Sequence, residues 1–162
     1  MFHIYTLSPG EASEAQRDAM VRLVVAGGGI AEAAVRAGVP RAEALVLCIA
    51  RGHVAGVAAL KVPQPGYRAG LTSATKSGIA LPPDRFPREL GYLAVEPALR
   101  RQGLGRILCT EALSLARGRG LFATTGLDVM RDHILPRLGF VAAGGIWQGQ
   151  AEPVALMVRP GL

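Results

Sequence analysis

Residues 93–109, LAVEPALRRQGLGRILC, constrain the fold of this chain more than any other stretch. An apolar strand pattern over 89–95 runs into Glu96 and Pro97 and must stop there. Proline offers no amide to a neighbouring strand and biases the residue before it toward extended geometry. Gly103 and Gly105 then permit tight backbone angles and close approach of another group. Leu104, Ile107, Leu108, Ala112 and Leu115 recur at helical spacing and predict a helix over 103–117 that buries this face. The first amides of such a helix lack intrahelical acceptors. With the helix dipole they make an anion site, which Arg100, Arg101 and Arg106 strengthen. A phosphate or pyrophosphate suits it. A nucleotide P-loop would need G-x-x-x-x-G-K-[ST], and a dinucleotide fingerprint G-x-G-x-x-G with a later acidic residue; the chain has neither.

The remaining elements follow from period and punctuation. Ser8, Pro9 and Glu11 read as a capping box opening a helix, with Ala12, Ala15, Ala19, Met20 and Leu23 on one face and the glycines at 27–29 ending it. A short helix over 30–37 stops at Gly38 and Pro40. The runs at 44–50 and 53–62, separated by Arg51 and Gly52, predict antiparallel strands joined by a tight turn. Residues 63–88 carry five prolines and no firm period, so they are expected to form a functional lid, a mobile loop or an irregular strand. Strand 121–125, helix 128–138 and strands 140–148 and 153–158 complete the chain. The class is mixed α/β around one sheet, in one domain over 1–162.

Composition narrows the function classes. The longest apolar run, at 44–50, is far shorter than the roughly 20 residues of a membrane span, and the start of the sequence lacks the features of a secretory signal, so a cytoplasmic protein without membrane partners is expected. Cys48 and Cys109 show no ligand spacing to each other or to His3, His53 and His133; they are expected to be reduced core thiols, and no metal site is expected. The net charge is +6, and sixteen of the 18 basic residues are arginine. That suits anionic partners. Aromatics are sparse and not interleaved with the basic residues, which argues against a nucleic-acid stacking platform.

The strand, proline, RRQGLG and amphipathic helix together resemble the pyrophosphate-binding motif of the GNAT superfamily of acetyl-CoA-dependent N-acetyltransferases, [QR]-x-x-G-x-[GA], here Arg100, Arg101, Gln102, Gly103, Leu104 and Gly105. ELGYLAVEP is similar to the family's fourth strand, FATTGLDVMRDHILPRLGF to its fifth strand and following helix, and RLGF at 137–140 to its entry into the sixth strand. The resemblance implies a mostly antiparallel central sheet with helices on both faces. It also implies acetyl-CoA as cosubstrate, held by the backbone of Leu93, Ala94 and Val95, by residues 100–106 and near Asp128. The acceptor would be a primary amine of a small molecule or protein, and a homodimer is compatible with the C-terminal strands.

For catalysis, the resemblance places a backbone amide of Leu93 at the thioester oxygen and aligns Glu89 with a general base. A solvated strand-end carboxylate, or one that binds the acceptor's charge, is the alternative. The chain departs from the family where a tyrosine usually protonates the leaving thiolate, since Leu135 stands there, followed by Pro136, and Asp128 replaces a common asparagine. A thiolate is a fair leaving group, so transfer can run without a dedicated acid, or with Tyr92, His133 or water. Tyr67, Arg68, Lys76, Arg85 and Arg88 are candidates to line an acceptor pocket suited to a carboxylate-bearing amine, though loop solvation explains the same charges. Two further functions remain open from the residues: a CoA-binding module without transferase activity, and an acetyltransferase acting on charged tRNA.

Overall fold

The computed structural model describes residues 1–162. Seven strands form one mixed, mostly antiparallel sheet in the order β1-β2-β3-β4-β5-β7-β6. They are β1 (Phe2–Leu7), β2 (Ala44–Ala50), β3 (His53–Lys61), β4 (Arg88–Val95), β5 (Leu121–Thr125), β6 (Val141–Gln148) and β7 (Pro153–Arg159). The helices are α1 (Glu14–Ala26), α2 (Glu32–Gly38), α3 (Pro65–Thr72), α4 (Leu104–Ala116) and the short α5 (Leu135–Arg137). The chain forms two compact units, Met1–Lys61 with Leu90–Leu115, and Val62–Glu89 with Ala116–Leu162.

In the first unit, β2 and β3 pair antiparallel around Arg51 and Gly52, whose φ values of 51° and 77° give the tight turn the sequence predicts. Both strands are covered on both faces. Leu45, Leu47, Val57 and Ala59 pack with Met20, Val21 and Val24 of α1 and Val35 of α2. On the opposite face, Leu104 and Leu108 of α4 close over Gly56, the register partner of Cys48. Double coverage explains why ALVLCIA has no polar alternation. Each fully buried Val or Leu there contributes about 1.5–3 kcal/mol. In α4, Leu104, Leu108 and Ala112 are buried as expected, whereas Ile107 is exposed and Cys109 and Ala116 complete the face.

The second unit packs Leu71 of α3, Leu81 and Phe86 against Phe122 of β5 and Leu156 of β7. Here β4 pairs parallel with β5 at Arg88↔Leu121 and Glu89↔Phe122, and β7 lies antiparallel between β5 and β6.

Three further expectations need correction, and one strand is added to those expected. The first helix begins at Glu14, not at Pro9. Ser8 and Glu11 instead close a turn, in which the Ser8 carbonyl accepts from the Glu11 amide at 3.0 Å and Glu11 Oε1 accepts from the Ser8 amide at 2.8 Å. That backbone amide also holds the Glu11 carboxyl below the usual carboxylate range. The Pro9-Gly10 pair favours a turn, and the reciprocal cap lies at Ser13 and Gln16, with bonds of 3.0 and 2.9 Å. The buried helix face is accordingly Met20, Val21 and Val24.

Residues 63–88 contain α3, which the sequence hides because Pro65, Gly66 and Gly70 depress its intrinsic propensity. β1 was not predicted; it pairs only with β2 at the sheet edge, and its mostly exposed residues show no alternation. The helix expected over 128–138 is irregular, with π turns at Met130–Ile134 before α5. Pro136 has no amide to donate back, so a regular ladder cannot run through it.

Cys48 and Cys109 are buried free thiols. Burial pushes the Cys109 thiol up to about 12, and burial together with the Glu96 carboxylate raises that of Cys48. No helix is long and apolar enough to cross a membrane.

Two outcomes are expected. Ser13→Ala lowers stability by about 1 kcal/mol in urea unfolding, the usual loss for a cap of this type. At pH 8, iodoacetamide labels neither thiol of the folded protein on the timescale that labels both in denaturant; rapid native labelling of Cys109 would contradict its burial.

Candidate active site

β4 ends at Val95, and Pro97–Leu99 forms one 3₁₀ turn. Arg100 Nε donates to the Val95 carbonyl at 3.0 Å, tying the loop back to the strand end. The Gln102 side-chain amide reaches the Ala98 carbonyl at 3.4 Å. Arg101 and Gly103 then take φ values of 64° and 79° before α4 starts. The left-handed region costs a non-glycine residue roughly 1–3 kcal/mol, so Arg101 stores strain that the loop geometry demands.

The Ile107 amide donates to the Gly103 carbonyl at 3.2 Å. The amides of Leu104, Gly105 and Arg106 precede that first α-helical bond and have no acceptor within the helix. Beyond Gly103 and its two chain neighbours, no atom lies within 4 Å of the point a Gly103 Cβ would occupy. Arg100, Arg101, Gln102, Gly103 and Arg106 are exposed. A cradle of backbone donors, open space and three guanidinium side chains fits a pyrophosphate. Nearby, the Glu96 amide donates to the Ala55 carbonyl at 2.9 Å, and its carboxylate meets His53 Nε2 at 2.8 Å.

Within β4, Tyr92 has a φ of 51°, a break in extended geometry that re-aims the backbone at Leu93. Tyr92 and Ala94 pack into the cluster of α1, α2, β2 and β3, whereas Leu93 lies toward Gly105 of α4. The Tyr92 hydroxyl sits against Gly38 of α2, and Lys61 Nζ stands 4.3 Å from its ring centroid. Tyr92 is thus a core side chain with a cation over its face.

In the second unit, Glu89 is only 2% exposed. Its Oε2 accepts a hydrogen bond of 2.6 Å from the Tyr67 hydroxyl on α3. Arg68, the next residue, is 9% exposed; its Nη1 donates to the Leu81 carbonyl at 3.0 Å, and the guanidinium lies 5.3 Å from the Phe122 ring centroid. Burial lowers the Arg68 pKa, and the Glu89 carboxylate partly offsets the shift. Arg68 and Arg88 line an open groove of about 610 Å³ between α3 and residues 80–88. Lys76 and Arg85 are exposed elsewhere, Arg85 over Phe86.

The positions where the sequence leaves the family pattern are also placed. Leu135 is 1% exposed and belongs to the core. Asp128 is exposed and accepts from Arg131 Nη2 at 2.8 Å, and His133 is exposed on the irregular helix.

Sequence reasoning missed that Tyr67 bonds Glu89 and that Arg68 is buried. The signal was present in GlnPro-Gly-Tyr-Arg, a proline at a helix start, but two glycines masked it.

Residues 26–140 match the acetyltransferase (GNAT) family. The chain belongs to that family. Its fold is similar to that of Escherichia coli ElaA, with a TM-score of 0.73 at 14% identity over 98% of this chain and 99% of that one. An acyl-CoA N-acyltransferase from Pseudomonas aeruginosa gives 0.72 at 16% identity, over 98% and 99% of the two chains. The NatC complex bound to Gag peptide and CoA gives 0.69 at 13% identity, over 99% of each chain. Identities this low speak to the fold, which they share with this GNAT chain. No curated protein sequence matches it.

The packing of Tyr92 has a direct test. A Cβ at Gly38 would overlap the Tyr92 hydroxyl, so Gly38→Ala should lower the melting temperature, and adding Tyr92→Phe should recover part of the loss. Additive losses in the double mutant would place the hydroxyl elsewhere.

Proposed function

We propose that this GNAT protein, acting as one N-acetyltransferase domain over residues 1–162, transfers an acetyl group from acetyl-CoA to a primary amine. The observation that carries the reading is the open cradle of backbone donors at Gly103–Arg106, preceded by the left-handed Arg101 and Gly103. The amides of Leu104, Gly105 and Arg106, with the open position at Gly103 and the side chains of Arg100, Arg101, Gln102 and Arg106, would hold the pyrophosphate. The backbone of Leu93, Ala94 and Val95 would take the pantetheine arm, since β4 runs on through Leu90–Val95 beyond its two-residue register with β5.

Acetyl-CoA supplies the activated acetyl group. The Leu93 amide would donate to the thioester oxygen as charge builds there, a contribution of about 3 kcal/mol for one such donor. An alkylammonium is almost wholly protonated at neutral pH, so a base must receive its proton before the nitrogen attacks. Glu89 is the candidate. It is buried, and the Tyr67 hydroxyl fixes one of its oxygens, which makes Tyr67 a positioning residue. As the new carbon–nitrogen bond forms, the carbon–sulfur bond breaks and the thiolate takes its proton from solvent. This acid-free step agrees with the core burial of Leu135 and with the packing of the Tyr92 hydroxyl against α2. Asp128 is proposed only to flank the cosubstrate.

The absence of a tyrosine at Leu135 also favours a second reading, a CoA-binding module without turnover. Amine-dependent thiol release separates the two.

Calorimetric titration with acetyl-CoA is expected to give micromolar affinity, about −8 kcal/mol. Gly105→Glu should weaken it at least about tenfold, because a carboxylate then stands at the first helical turn. Position 105 suits this test because its Cβ meets only Leu93 at 3.9 Å, whereas any side chain at Gly103 would be strained. Glu89→Gln should lower kcat by roughly 10²–10⁴ while acetyl-CoA still binds. Full turnover in that variant would remove Glu89 as base, and no acetyl-CoA binding by the wild type would remove the acetyltransferase reading.

A further inference from the structure

We propose that the groove between α3 and residues 80–88 holds a carboxylate of the acceptor, with Arg68 as the side chain that binds it, so that the acceptor is an amino acid or another carboxylate-bearing amine. The inference deepens the acetyltransferase reading and rests on it in one respect: the acceptor's nitrogen is assigned to Glu89.

Arg68 is a nine-tenths buried cation in a groove otherwise walled largely by proline, leucine, valine and alanine. A guanidinium presents five N–H donors in a rigid plane. Nη1 donates to the Leu81 carbonyl at 3.0 Å, and Cζ lies over the Phe122 ring, 5.3 Å from its centroid. The group is therefore held in orientation and still has donors to offer.

Burying a charge costs free energy unless it is paired, and the desolvation shows in the lowered pKa of Arg68. The nearby Glu89 carboxylate offsets that cost only in part, and its Oε2 is bonded to Tyr67. A helix this short could have packed an aliphatic side chain at position 68 with less loss. A fixed, desolvated guanidinium in an open groove is the arrangement that recognises a planar anion with two oxygens. Arg88 adds a second positive charge to the same lining.

The charge pattern then matches one chemical class. Buried Glu89, next in the chain to the groove-lining Arg88, provides a negative charge for an ammonium, Arg68 and Arg88 provide positive charge for a carboxylate, and the apolar lining of the groove suits the carbon skeleton that links the two groups. A plain alkylamine would leave the Arg68 donors without an anion. A carboxamide in place of the carboxylate would lose the charge-assisted bonds while keeping size and shape.

The test compares ω-amino acids of increasing chain length, and α-amino acids, with their isosteric carboxamides as acceptors for the full chain, read by thiol release from acetyl-CoA. Within at least one pair, the acid is expected to exceed its amide at least about tenfold in kcat/KM, mainly through KM. Arg68→Gln should bring that ratio toward one, and Arg68→Lys should retain part of it. Equal use of acids and amides across the panel by the wild type would overturn the carboxylate site while leaving the acetyltransferase reading standing.

If no amine releases thiol, the acetyltransferase reading fails, and binding decides the groove separately. N-acetyl-4-aminobutyrate and its carboxamide are then titrated into the wild type and followed by NMR shifts of α3. Binding of the acid at least about tenfold tighter, lost in Arg68→Gln, supports the site; equal or absent binding of both overturns it. The comparison of acid with amide uses the wild type alone, so it holds even where the Arg68 variants do not fold.

Discussion

A strand that ends at a proline and re-enters as a helix leaves backbone donors that the helix cannot use. At the β4–α4 junction those donors are the amides before Ile107, and everything proposed for this protein's chemistry depends on where they point. Their direction is set by packing. Leu104 and Leu108 of α4 close over Gly56 of β3, and Ala112 is buried, so core packing sets which way the first turn faces. Arg100 ties the loop to the end of β4, and Arg101 accepts a left-handed conformation that local energetics disfavour. The hydrophobic core thus supports a strained, open loop, the condition under which backbone amides become a binding surface.

The second constraint is electrostatic. Glu89 is buried on a strand, where a carboxylate needs neighbours to be tolerated. Tyr67 and Arg68 supply them from one turn of α3, the first through a short hydrogen bond and the second through charge. A helix of only eight residues with two glycines would not persist in water by itself. Leu71, packed with Leu81, Phe86 and Phe122, holds it in place. The base role proposed for Glu89 therefore depends on a small apolar cluster.

Departures from the family pattern gain meaning in this setting. A leucine at position 135 is a fully buried packing residue, and Tyr92 turns its hydroxyl into the α2 contact at Gly38. Both side chains serve core packing, which suits the transfer without a dedicated acid proposed above.

Much of the fold was legible in the residues. The hairpin at Arg51 and Gly52, the end of β4 at Pro97, the glycine-punctuated start of α4 and the strand pattern of ALVLCIA all express local rules, because proline, glycine and hydrophobic period act over a few residues. The expectation of an anion cradle rests on the same rules. The true start of α1 at Ser13 was open to the same reasoning, but two capping signals competed and only the surrounding packing chose between them. β1 is an edge strand with little to bury, so its existence depends on the backbone donors of β2. α3 and the placement of Tyr67 and Arg68 around Glu89 required tertiary structure, since residues 67 and 89 meet only after the intervening chain folds back. By itself the sequence determined the strand-to-helix cradle, because its causes are local in the chain. The tertiary structure decided which carboxylate is buried and which arginine faces the groove, because burial and charge depend on neighbours distant in sequence.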